Sequence, residues 1–240
     1  MLYKNVMEDK ICRALVMHNN KVQFSSLKTE GGDIIENDKK YGFLKPKNGV
    51  LTFSIINRDG EITEKGVDRA VKLALKAWSL YVPIKFVKVK TNGNVRIEFR
   101  SENEDKILNQ NTLAYMYYPL GSINDGHCVV NTRYWWSNSG KGVDMHKIDP
   151  LHYPKPQTKV LGQSWDLDQV LRHEFGHGIF GLQHDPEPKN IMSSNYGLMN
   201  EYLSDIDVVR ARAKAGTKEL PPNILKRWLD WLSKSSDRDY

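Results

Sequence analysis

Residues 173–177, His-Glu-Phe-Gly-His, lie inside a stretch, SWDLDQVLRHEFGHGIF (164–180), whose apolar residues Leu167, Val170, Leu171, Phe175 and Ile179 recur at helical spacing. Ser164 or Asp166 offers an N-cap. On such a helix His173 and His177 emerge one turn apart on one face, close enough for both imidazoles to reach a single metal ion at ~2.0–2.1 Å. Glu174, beside His173, is placed to act on a water at that metal without being a ligand. With 7 histidines in 240 residues, a shuffled chain would carry this pattern roughly 0.01 times. The plain alternative is two surface histidines on an ordinary helix.

The rest of the chain supplies a scaffold for such a helix. LTFSII (51–56), IKFVKVK (84–90) and VRIEF (95–99) alternate apolar and polar residues with the period of a strand. Between the first two, Val67, Val71, Leu75 and Trp78 form one helical stripe that ends before Pro83, so strand, helix and strand read as a crossover in a largely parallel sheet. TLAYMYY (112–118) and HCVVN (127–131), joined by a Pro- and Gly-containing turn, are short-range partners for antiparallel pairing. Residues 137–163 read as loop. Two further helices are expected, one capped by Ser204 with Asp207 and ended by Gly216, and one over NILKRWLDWLSK with Ile224, Trp228, Leu229, Trp231 and Leu232 on its apolar face.

Composition narrows the function classes. The net charge of +6 comes from scattered lysines such as Lys85, Lys88 and Lys90, not from one basic block, so nucleic-acid binding is not expected. Two cysteines are too few for a disulfide scaffold; Cys12 reads as a small buried hydrophobe. Charges interrupt the apolar residues of the N-terminus, which does not read as a signal peptide, and no stretch reaches the ~20 apolar residues of a membrane span.

His184, in GLQHD after Gly181, and Met192, in NIMSSNYG, extend the histidine pair into a longer pattern. With them the chain resembles the metzincin zinc metallopeptidases, closest to the matrixin group, which carry a third histidine after a glycine turn and then a methionine turn beneath the metal. The likeness extends through LKAWSLYVPIKFVKV, VRIEF, LAYMYYPLGSINDGHCVVN and YLSDIDVVRARAKAG, about residues 46–216. It implies an α+β or α/β fold: a twisted, mostly parallel sheet with one antiparallel edge strand, an active-site helix, a Met-turn and a C-terminal helix. Residues 1–45 would be an N-terminal extension or pro-segment, 46–216 the catalytic domain, and 217–240 an amphipathic helical extension.

The implied activity is zinc-dependent endopeptidase chemistry with one catalytic Zn2+ held by His173, His177 and His184, Glu174 as general base and Met192 in the Met-turn. A structural Ca2+ is compatible with it. A protein or peptide substrate would lie extended along the edge strand at Leu113, Ala114 and Tyr115. Tyr196 would wall the pocket for the side chain after the scissile bond. A monomer, secreted or released, is expected. A catalytically inactive zinc protein used as a binding module is the competing reading.

In one place the pattern departs from the family. Three residues, Gly178, Ile179 and Phe180, separate His177 from Gly181 where metzincins have two. An added helical residue turns the downstream chain by about 100°, which would swing His184 off the metal unless a bulge or widened turn absorbs it. Gly178 is the least encumbered place for that distortion. Asp185 and, more remotely, Glu201 are alternative third ligands. The second zinc of matrixins is not expected, because His127, Asp144, His146 and His152 lack its spacing.

Overall fold

The computed structural model describes residues 11–18, 21–24, 38, 40–58, 62–137, 164–187, 190–194 and 203–217, the first two ranges by their backbone alone. Most of the 137–163 loop, the helix expected at 223–234, Tyr196 and Glu201 lie outside them.

Five strands form the main sheet: β3 (Val50–Ile55), β4 (Lys85–Lys88), β5 (Val95–Arg100), β6 (Thr112–Tyr117) and β7 (His127–Asn131). Their order is β6-β7-β5-β3-β4, parallel except for β6, which runs antiparallel to β7 and closes the five-stranded set. β1 (Ile11–His18) and β2 (Lys21–Phe24) continue the sheet beyond it. β1 pairs in parallel along the outer side of β6, with Arg13, Ala14 and Leu15 opposite Tyr115, Met116 and Tyr117.

Helix α1 (Glu64–Ser79) makes the crossover between β3 and β4. Thr63 caps it by accepting a hydrogen bond from the Gly66 N–H at 3.1 Å. Val67, Val71, Leu75 and Trp78 are all buried on its inner face, each contributing about 1.5–3 kcal/mol by leaving water. The alanines between them, Ala70, Ala74 and Ala77, are buried too and keep that face low enough for a second helix to approach.

That second helix, α2 (Leu167–Phe180), carries the histidines, and Asp166 caps it through the Gln169 N–H at 3.1 Å. All of its residues but Gln169 are buried, and it packs against α1 on one side and against β6 and β7 of the sheet on another. Trp78 donates its indole N–H to the Arg172 carbonyl at 2.9 Å and joins the two helices. Glycine makes two further approaches feasible. A Cβ on Gly178 would lie 2.3 Å from Met116 Cγ of β6, and one on Gly176 would lie 2.2 Å from Met192 Sδ.

Two short strands escape a periodicity search. β8 (Trp135–Ser137) and β9 (Ser164–Asp166) pair in parallel just before α2, bringing together the two ends of the segment between them. Helix α3 (Asp205–Lys214) packs behind α2, with Ser204 and Asp207 in a reciprocal capping box.

Candidate metal centre

His173 and His177 are buried on α2, and each gives its Nδ1–H to a backbone carbonyl at 2.6 Å, Ile191 for the first and Leu182 for the second. A carbonyl only accepts, so the proton sits on Nδ1 and Nε2 is bare in both neutral rings. Those two Nε2 atoms face each other at 2.9 Å. Two unprotonated lone pairs so close repel one another unless a cation lies between them. A tetrahedral ion with ~2.0–2.1 Å bonds would hold them about 3.3 Å apart. A metal-binding imidazole commonly donates its second nitrogen to a carbonyl in this way.

His184 completes the group. Its ring centroid lies 5.3 Å from that of His173 and 4.8 Å from that of His177, and one nitrogen from each of the three rings falls within 4.8 Å of the others. Its Nε2 is buried and has no hydrogen-bond partner. Among the described residues these three are the one cluster of side chains placed to share a metal ion. Burial also puts the rings in the right protonation state: it lowers His173 to about 4 and His184 to about 3, and holds His177 well below its ordinary value. All three are therefore neutral at pH 7, the form that binds metal.

The added residue is absorbed at the end of α2 rather than inside it. Gly178 is helical, and its missing side chain makes room for Met116, not for a bulge. The distortion falls on Gly181, in the left-handed region at φ 65°. Its N–H reaches the carbonyls of both Gly176 and His177, and the Leu182 N–H returns to the Gly176 carbonyl at 3.0 Å. That closing bond spans one residue more than the corresponding bond of a Schellman turn. The widened turn frees the Ile179 carbonyl to accept the Leu44 N–H at 2.8 Å.

Supporting contacts arrive from distant parts of the chain. Asp207 accepts the Ile191 N–H at 3.2 Å, steadying the carbonyl that orients His173. Tyr118 sets its hydroxyl 3.1 Å from His177 Nδ1 and stacks on Tyr41 with ring centroids 3.8 Å apart. Met192 lies in a turn where the Ser193 N–H reaches the Asn190 carbonyl at 3.0 Å and the Met192 carbonyl accepts the Asp185 N–H at 2.8 Å. Its sulfur packs against Gly176, between the two helical histidines in sequence.

Glu174 is wholly buried on α2; burial, and after it the Glu174 carboxylate, pushes the Cys128 thiol of β7 far up. Asp185 is turned away from ligand duty. Its carboxylate receives the Glu187 N–H at 2.8 Å and faces the Arg210 guanidinium at 3.4 Å. His127 is engaged by Glu98 at 2.9 Å, while Asp144, His146 and His152 lie outside the described residues. On β6, Leu113, Ala114 and Tyr115 are buried, Tyr115 with its hydroxyl bonded to Asp105.

A model of the matrixin family matches residues 44–211, which takes in the sheet from β3 onward, the histidine helix and most of α3. The chain belongs to the matrixin family. It is 29% identical to human matrix metalloproteinase-20 over 183 residues, which cover 75% of this chain and 34% of that protein. Against the Tupaia belangeri matrix metalloproteinase-27 it is 28% identical, covering 65% of this chain and 28% of the relative. Against human stromelysin-3 it is 27% identical, covering 61% and 26%. This matrixin chain thus spans about a third or less of the relatives it matches. The family implies zinc and a metalloendopeptidase domain, and the three histidines form a group able to take the metal.

Asp38, Arg210 and Tyr118 are the residues of the site that sequence reading missed. Arg210 alone left a signal, as a charge set among Asp207, Val208 and Ala211 on the buried side of α3. Asp38 and Tyr118 belong to no motif. Nothing short of the fold brings residue 38 to residue 183. Among the described residues of this matrixin no helix is long and apolar enough to cross a membrane.

Proposed function

We propose that this matrixin domain is a zinc-dependent endopeptidase in which His173, His177 and His184 hold the metal and Glu174 is the general base. The observation that carries the reading is the pair of bare Nε2 atoms facing each other at 2.9 Å, with a third unpartnered ring nitrogen alongside. When bound, zinc supplies Lewis acidity, which polarises an amide carbonyl and makes water a usable nucleophile near neutral pH.

The remaining work falls to the chain's own groups. Glu174 takes a proton from the attacking water onto a carboxylate oxygen and returns it to the departing amine nitrogen. Ile191 and Leu182 hold the His173 and His177 rings in one tautomer and one direction. Met192, against Gly176, makes an apolar floor under the helix and takes the Met-turn role.

The substrate is an extended peptide hydrogen-bonded along the outer side of β6, with Leu113, Ala114 and Tyr115 contributing backbone groups and Tyr196 lining the pocket for an apolar side chain. β1 pairs along that same side, so β1 and a peptide are alternative occupants. This supports reading residues 1–45 as containing a pro-segment whose first strand leaves before catalysis. A cut between β2 and Asp38 would release that strand.

The test compares the wild-type chain with Glu174→Ala, each before and after cleavage at a protease site engineered between residues 25 and 37. The expected result is one zinc in both proteins, casein or gelatin cleavage by the cut wild type alone, and loss of that activity with a chelator. Undiminished cleavage by Glu174→Ala would refute the base assignment. Zinc without cleavage in any form would favour the binding-module reading.

A further inference from the structure

His173 and His177 take their positions from a helix, but His184 lies beyond it, so its direction depends on how the residues on either side are held. Arg210 of α3 forms a two-pronged bond with Asp38, Nε to Oδ2 at 2.7 Å and Nη2 to Oδ1 at 2.8 Å. The planar fork fixes both groups in angle as well as distance. Gln183 is gripped at both ends by this pair: its N–H donates to Asp38 Oδ1 at 2.8 Å, and its carbonyl accepts from Arg210 Nη2 at 2.6 Å. On the other side of His184, the Asp185 carboxylate faces Arg210 Nη1 at 3.4 Å. Asp38, Gln183, Asp185 and Arg210 are all at most 4% exposed, so water competes little for these bonds. Lys214 ties down the same segment through the Asp38 and Tyr41 carbonyls.

We propose that Asp38 and Arg210 are positioning residues for the third metal ligand, a buried clamp that sets the 183–185 backbone so that His184 meets the two helical imidazoles. The inference rests on the reading of the three histidines as metal ligands. It also assigns a role to a residue outside the family-matched segment 44–211. The clamp further sets a limit on processing. A cut that frees the outer side of β6 while leaving the clamp on the catalytic chain must fall after β1 ends at His18 and before Asp38.

The experiment loads the full chain with Zn2+ or Co2+ and compares wild type with Asp38→Ala, Asp38→Asn and Asp38→Glu. Asp168→Asn is the control, because Asp168 forms a comparable buried pair with Arg172 at 2.7 Å on the first turn of α2, away from the 183–185 loop. Zinc affinity is read by competition with a chromophoric chelator, and coordination by the visible absorption of the Co2+ form.

Asp38→Ala is expected to weaken zinc binding about 10- to 100-fold and to reduce the Co2+ absorption as the third imidazole loosens. Asp38→Glu should recover part of both losses. Asp168→Asn should lower thermal stability and leave the Co2+ spectrum unchanged. If Asp38→Ala does not fold, Asp38→Asn decides, since it retains an acceptor for the Gln183 N–H. If neither folds, the pair serves the fold as a whole and the positioning role is refuted. Folded Asp38 variants that match wild type in affinity and spectrum would sink the clamp alone. A wild-type chain that takes up no Zn2+ would sink the ligand reading and the clamp with it.

Discussion

The metal centre has two halves built on different principles. His173 and His177 stand on a buried helix, where spacing fixes their relation and nearby carbonyls fix their rings. His184 stands on an open turn, shaped locally by Gly181 and held from a distance by Asp38, Arg210 and Leu44. In the helical half the spacing of the two rings is set locally by the helix, and only their orientation is borrowed from the Ile191 and Leu182 carbonyls. The turn half is assembled from three separate parts of the chain, and a change in any of them should reach the metal. One ligand set thus combines a part that is inherently rigid with a part that is rigid only in the folded whole.

The largest expected effect comes from removing the cation at the centre of the turn half. Arg210→Met leaves the carboxylates of Asp38 and Asp185 buried without their partner, and should cost about 3–5 kcal/mol of stability in urea unfolding. A loss below about 1 kcal/mol would show that the two halves do not differ in this way.

Gly181→Ala comes next. A Cβ there would meet the Gly42 carbonyl oxygen at 2.2 Å, on a residue whose φ is already 65°. Thermal unfolding should register about 2–3 kcal/mol, combining left-handed strain with displacement of the packed backbone. Gly178→Ala, in the helical half, should cost about 1–3 kcal/mol by pushing on Met116. Unlike Gly181→Ala, it should leave zinc affinity unchanged.

The helical half should also reveal itself in pH dependence. Burial lowers His173 in the folded chain to about 4, against ~6.5 when unfolded. Between these values the unfolded chain binds more protons, so the metal-free protein should lose stability as pH falls from about 6.5 to 4. The slope from this histidine is at most about 1.4 kcal/mol per pH unit. A flat profile over that window, measured by denaturant midpoints, would contradict the buried neutral assignment. The smallest effect is expected from Tyr118→Phe. It deletes one hydroxyl 3.1 Å from His177 Nδ1 while leaving the Leu182 carbonyl in place, and should weaken zinc binding a few-fold, about 1 kcal/mol.

The same division explains what could be read from the sequence. The helical half was legible because a period of 3.6 residues converts spacing directly into direction, and the alternating strands and the Ser204–Asp207 cap were legible for the same local reason. The extra residue before Gly181 could be noticed, but its resolution could not be deduced. Gly178 is used for packing against Met116, and the widening falls at Gly181 because Leu44 is there to satisfy the Ile179 carbonyl. Asp38 lay hidden in a segment with no motif, since a contact across 145 residues leaves no periodic trace. β8 and β9 were too short to show alternation, and the pairing of β1 beside β6 depends on register that sequence pattern does not carry.

Helix and turn are held here to converge on one ion, and zinc-edge X-ray absorption on the stoichiometrically loaded chain decides whether they do. One zinc per chain with three imidazole nitrogens at ~2.0–2.1 Å is expected, falling to two imidazoles in His184→Ala. Two imidazoles with a carboxylate oxygen in the wild type, unchanged by that substitution, would place His184 outside the site and contradict the convergence.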